Sequence, residues 1–127
     1  MNETPEIINI NGEEYIKKSS ICVADSQAVN TDGLKFVICR GYYCGVHAGW
    51  LMEHDGNHCV LVNSRRLWSW KAKDGISLSA VAKHGVDASC EFPNALGEIW
   101  LGDVYEVIPC SDTAAKSIME AKVREQN

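Results

Sequence analysis

Short apolar runs alternate with polar positions along the chain, and turn residues separate the runs. This is the pattern of a small antiparallel sheet. Ile7, Ile8 and Ile10, then Asn11-Gly12, then Tyr15 and Ile16 read as a hairpin, because Asn-Gly supplies the two positive φ values of a type I′ turn. Residues 1–6 form a polar tail, and residues 17–33 are small and polar, a loop or weak edge segment. Residues 34–39 are rich in β-formers and predict a strand. A longer strand over 42–52 turns at Asp55-Gly56-Asn57 and returns over 58–62. Ser77 is placed to cap a short helix carrying Leu78, Val81 and Ala82, with His84 in its last turn and Gly85 just beyond. Residues 98–108 return to strand, with Gly102-Asp103 as a bulge or tight turn and Pro109 as a stop. Ser111 or Asp112 then caps a final helix through Ala114, Ala115, Ile118, Met119 and Lys122, fraying after it. The prediction is one α+β domain over residues 1–127, a mainly antiparallel sheet with two short helices, the second at the C-terminus.

The composition suits a compact core: 46% of the 127 residues are hydrophobic. The net charge of -5 is uneven, because residues 34–73 hold six basic side chains against two acidic ones. That local excess admits an anionic partner at one place and argues against general affinity for nucleic acid. No apolar run approaches the roughly 20 residues that span a bilayer, and the N-terminus lacks the features of a signal peptide. A protein of the cytoplasm, away from membranes, is expected. Cys39, Cys59 and Cys110 sit in apolar runs, so the six cysteines are expected to be mostly free, buried thiols.

The densest chemistry lies in Asn63-Ser64-Arg65-Arg66-Leu67-Trp68-Ser69-Trp70-Lys71. Continued as a strand, this run puts Arg66, Trp68 and Trp70 on one face and Arg65, Leu67, Ser69 and Lys71 on the other. Indoles stack on bases, and Arg65, Arg66 and Lys71 can meet phosphates. Tyr43 would add a stacking ring and His47, between Gly45 and Gly49, would line the pocket. The same residues also suit core packing, with Leu67 and Trp68 buried, or a subunit interface anchored on Trp and Arg. Cys44 and His47 invite a metal or Cys-His reading, but residues three apart on a strand face opposite sides, and no Cys-x2-Cys pair exists. No catalytic, metal or cofactor site is therefore predicted.

The block from Gly45 to Gly49, the run from Asn63 to Lys71, Glu98-Ile99, and Val107-Ile108-Pro109-Cys110-Ser111 resemble a family of small proteins from tailed phages and prophages, grouped only as a domain of unknown function. Ile10-Asn11-Gly12-Glu13-Glu14-Tyr15 resembles the opening of its members. The chain departs from the family pattern at Gly41-Tyr42-Tyr43-Cys44 and in the approach Phe92-Pro93-Asn94-Ala95-Leu96. The family has no established active site, so the resemblance carries over no functional residue. It implies a phage accessory gene acting in the host bacterial cytoplasm or on the virion. The expected function is non-enzymatic binding of a small anionic, nucleotide-derived ligand, such as a host defence signal, by a homo-oligomer. Docking on a host or virion protein is the first alternative, and weak binding of single-stranded nucleic acid the second.

Overall fold

The computed structural model describes residues 26–124, so the hairpin expected over residues 7–16 lies outside the described residues. Five strands form one antiparallel sheet: β1 (Lys35–Gly41), β2 (Gly45–Asp55), β3 (His58–Arg66), β5 (Leu96–Leu101) and β6 (Val104–Pro109). Their order is β5-β3-β2-β1-β6. β4 (Glu91–Phe92) and β7 (Lys122–Val123) make a short parallel pair beside it. The helices are α1 (Leu78–His84) and α2 (Asp112–Glu120). The α+β class and the near-C-terminal second helix are as the pattern predicted. Ser77 caps α1 by accepting from the Ala80 amide, and Ser111 rather than Asp112 caps α2 by accepting from the Ala114 amide. Gly85, at φ 93°, ends α1 in a backbone region closed to most side chains. Among the described residues no helix is long and apolar enough to cross a membrane.

Residues 98–108 do not form a single bulged strand. β5 and β6 lie on opposite edges of the sheet, yet only Gly102 and Asp103 separate them. Four strand spacings of roughly 4.8 Å would hold the edges of a flat sheet about 19 Å apart. Three residue steps span at most about 11 Å. The sheet must therefore curl until its edges approach, and the Val104 amide donates to the Asn57 carbonyl of the β2–β3 turn at 2.9 Å. The concave face holds Val37, Cys39, Cys59, Leu61, Leu101 and Val104. Cys39 of β1 and Cys59 of β3 are buried in this one cluster, although β2 lies between their strands. The convex face carries Phe36, Ile38 and Ala48 against Val81, Ala114 and Ile118 of the helices.

One bulge decides where the basic cluster points. Ala48 pairs with Arg65 and Trp50 with Val62, so Gly49 alone opposes Asn63 and Ser64. Asn63 takes a φ of 50° to admit the extra residue. A Cβ on Gly49 would stand 2.8 Å from the Ser64 Cβ, which explains glycine there. The extra residue reverses the side-chain parity. Without it Arg65 would share the concave face with Leu61; with it, Arg65 sits opposite Ala48 on the helix side.

Arg65 is 4% exposed and spends its guanidinium on backbone carbonyls. Nε donates to Pro93 at 3.0 Å. Nη1 donates to Ile118 at 3.0 Å, Met119 at 3.4 Å and Ala121 at 2.7 Å. Nη2 donates to Phe92 at 2.8 Å and Lys122 at 3.2 Å. The last carbonyls of a helix lack intrahelical partners and carry partial negative charge. α2 has no basic residue in its own last turn. Arg65 supplies that cation from the sheet, ties β4 to β7, and stacks over the Phe92 ring at 5.5 Å.

Arg65→Met keeps an apolar stem and removes every donor, so it is expected to lower the unfolding free energy by about 3–5 kcal/mol. Arg65→Lys should recover little of this, because an ammonium gathers three donors at one point. Arg66→Ala, one residue on and exposed, should stay within about 1 kcal/mol of the parent. Urea unfolding followed by tryptophan fluorescence reads all three, and equal costs at 65 and 66 would contradict the role given to Arg65.

Candidate functional site

Beyond Arg66 the chain leaves the sheet, so Leu67 to Lys71 do not continue the strand alternation. Leu67 turns into the helix-side core, and Trp70 packs half-buried against it. Trp68 keeps 42% of its surface exposed. Facing this segment is the stretch from Asp87 to Glu91, and four hydrogen bonds stitch the two together. The Trp68 indole N–H donates to the Glu91 carbonyl at 3.1 Å. The Lys71 amide donates to Cys90 Sγ at 3.3 Å, and that thiol donates back to the Lys71 carbonyl at 3.5 Å. The Asp87 amide donates to the same carbonyl at 2.8 Å.

Between the two walls lies a groove of about 240 Å³, lined by Trp68, Ser69, Trp70, Lys71, Ser89, Cys90, Glu91 and Arg124. Arg124 follows β7, and its amide donates to the Phe92 carbonyl at 2.8 Å. Its guanidinium meets the Glu91 carboxylate at 3.3 Å. Arg65 lies beneath the wall, because the carbonyls it binds belong to β4, to β7 and to the end of α2. A second depression of about 290 Å³ lies between Gln27, Ala82, Lys83, Ile108 and Ser111. It is larger but chemically poorer: the Gln27 amide is committed to the carbonyls of Phe36 and Cys110.

The seven residues singled out from the sequence thus fall into three places. Trp68, Trp70 and Lys71 line the groove. Arg65 is spent on the fold, so its guanidinium is directed away from any ligand. Arg66, His47 and Tyr43 gather at the β1–β2 turn instead. Arg66 Nη1 donates to the Cys44 carbonyl at 3.4 Å, and the His47 ring meets that carbonyl at 2.7 Å. Tyr43 is 87% exposed and packs edge-on against Tyr42. Arg40 lies over Tyr105 beside this turn.

The parity argument that separated Cys44 from His47 does not apply, because Cys44 lies in the turn before β2 and Gly45 takes a φ of 82°. Cys44, His47 and Asp103 come together, but their wiring opposes nucleophilic chemistry. Asp103 accepts from the amides of Tyr43 and Cys44, so it acts as the cap of the turn. Burial, and then the adjacent carboxylate, push the Cys44 thiol up to about 11, whereas a reactive thiol needs the opposite. The Cys44 carbonyl can only accept, so His47 carries its proton on Nε2 and holds the turn. Burial, reinforced by the Arg66 charge, pulls the imidazole below its ordinary value. Cys39, Cys59, Cys90 and Cys110 are free and buried. Among the described residues, no three His, Cys, Asp or Glu side chains cluster so that they could hold a metal.

Sequence reasoning missed the second wall. Ser89 and Cys90 lie in an irregular stretch that leads into the two-residue β4, and Arg124 follows a segment expected to remain helical. The Cys90–Lys71, Asp87–Lys71 and Trp68–Glu91 contacts reveal the pairing, and none leaves a spacing signal.

His47 also makes a testable contribution to stability. The native state favours neutral imidazole, so below about pH 6.5 the unfolded chain binds more protons and stability falls as the pH drops. The contribution is complete above that value. Between about pH 6.5 and 5, above the ordinary carboxylate range, His47→Gln should flatten the slope of the denaturation midpoint against pH. An unchanged slope in the variant would contradict this account of the ring.

A family model described as Domain of unknown function (DUF6948) matches residues 34–118. No curated protein and no solved structure matches the chain. The match runs from the residue before β1 through most of α2, and takes in both walls of the groove but not Arg124. Because it covers well over half of the sequence, the chain belongs to the DUF6948 family of domains of unknown function.

Proposed function

We propose that this protein is a non-enzymatic accessory factor that binds a small anionic, nucleotide-derived ligand in the groove between residues 68–71 and 89–91. The observation that carries the reading is the joining of two indoles and two cations around about 240 Å³. The Trp68 N–H is already taken by the Glu91 carbonyl, so this indole offers its ring to stack on a base. Lys71 and Arg124 flank the groove and can meet a phosphate. Ligand pockets usually run from about 300 to 1,000 Å³, so the groove suits one base with its phosphate at the rim. A second subunit laid over the opening would enclose such a ligand, which accords with a homo-oligomer. The raised Cys44 thiol and the carbonyl-bound His47 support binding without turnover. The resemblance to small phage proteins supports an origin in a phage genome and action in the host bacterial cytoplasm. There, capture of a nucleotide signal would blunt a defence response.

A second reading rests on a different observation. Tyr42, Tyr43 and Tyr105 are 78%, 87% and 60% exposed around the β1–β2 turn, beside Arg40. Exposed Tyr and Arg anchor protein interfaces, so this end of the sheet suits docking on a host or virion protein. Binding of single-stranded nucleic acid is the weaker alternative, because the net charge of -5 opposes it.

Titration with nucleoside monophosphates, followed by tryptophan fluorescence, tests the first reading. Saturable quenching is expected. Trp68→Ala should weaken binding by about 1–3 kcal/mol, the usual worth of one stacked base. Arg66→Ala should leave it unchanged, because Arg66 lies outside the groove. No saturable response to any nucleotide, or equal loss in both variants, would overturn the groove as the site.

A further inference from the structure

We infer that the base taken by the groove is guanine, so that the ligand class is a guanosine 5′-phosphate. This rests on the nucleotide reading above and deepens it. A stacking platform accepts every base, because each has a π-face; selection must come from the hydrogen-bonding groups at its edge. In this groove such groups stand on Glu91, Ser69, Ser89, Lys71 and Arg124, and Glu91 brings the only carboxylate.

Glu91 is the group that reads the base. Its backbone carbonyl is engaged by Trp68, and its side chain keeps 38% of its surface exposed. An ionised carboxylate only accepts, through two oxygens that can take two parallel hydrogen bonds. Guanine alone among the common bases presents two adjacent donors on its Watson–Crick edge, N1–H and the N2 amine. Adenine and cytosine set one donor beside a ring nitrogen lone pair, and uracil sets one N–H between two carbonyls. Each of these places acceptor against acceptor on one carboxylate oxygen. Ser89 reinforces the preference: its hydroxyl proton goes to the Asp87 carboxylate, so toward a ligand this hydroxyl can only accept.

The cations fit the other end of the same ligand. The Glu91–Arg124 contact at 3.3 Å is an exposed pair, of the kind that holds little energy. Guanine can therefore take the carboxylate while Arg124 turns to the 5′-phosphate beside Lys71. Beneath, Arg65 fixes the Phe92 and Lys122 carbonyls, so Glu91 and Arg124 stay on one wall.

Calorimetric titration of the full chain with GMP, IMP, AMP, CMP and UMP tests this. IMP keeps N1–H and lacks the N2 amine, so it isolates one hydrogen bond to a charged acceptor. GMP is expected to bind roughly tenfold or more tighter than IMP, and tighter still than AMP, CMP or UMP. Glu91→Gln should bring GMP down to the affinity of AMP while leaving AMP nearly unchanged. Equal affinity for all five would overturn the guanine assignment and leave nucleotide binding standing. Binding of none would overturn both. A Glu91→Gln protein that keeps its guanine preference would overturn the assignment too. If that variant does not fold, the GMP-to-IMP ratio in the parent decides alone.

Discussion

A single buried guanidinium holds the architecture together. Taking such a charge from water costs several kcal/mol unless its donors are satisfied, and Arg65 meets that requirement with six backbone carbonyls from two stretches distant in sequence, residues 92–93 and 118–122. The partners are not incidental. They are groups that secondary structure leaves over: the last carbonyls of α2, which has no cation of its own there, and those around a two-residue parallel pair too short to be stable by itself. Arg65 thus converts three weak ends into one joint.

The joint exists only because the sheet deviates twice from regularity. The Asn63–Ser64 bulge, accommodated by Gly49, turns Arg65 toward the helices and Arg66 toward the other face. The two-residue link between β5 and β6 forces the sheet to curl, and a curled sheet closes a small core on its concave side. That leaves the convex side for the helices, under which Arg65 lies. The groove is built on this joint. Its first wall is the chain leaving β3 just past Arg65, and its second is the β4 and β7 segment whose carbonyls Arg65 binds. Support and groove are therefore adjacent, and Arg65 carries the positioning of the groove's walls.

Much of this was legible in the sequence wherever the signal was local. Ser77 with Leu78, Val81 and Gly85 specified α1, and Ser111 with Ala114 and Ile118 specified α2, because caps and helical spacing act within a few residues. The Gly56-Asn57 turn fixed the β2–β3 hairpin. Parity beyond the hairpin was not legible. Strict alternation carried past Val62 placed Arg65 and Arg66 by rule, and a single extra residue reverses that rule. Residues 98–108 read as continuous β-structure, but no local signal shows that β5 and β6 take opposite edges. The groove was half visible: Trp68, Trp70 and Lys71 stood out by type, whereas Glu91 and Arg124 join them through contacts between residues more than 20 positions apart.

The central claim, that Arg65 is locked into backbone carbonyls, can be read directly from its guanidinium proton. In a nitrogen-15 correlation spectrum near neutral pH, the Arg65 Nε–H should give a sharp resonance that exchanges slowly with water and shows scalar coupling to the Pro93 carbonyl carbon. The corresponding protons of Arg66 and Arg124, at the surface, should exchange fast. An Arg65 proton that exchanges as quickly as theirs would mean that the guanidinium is hydrated, and would contradict the account.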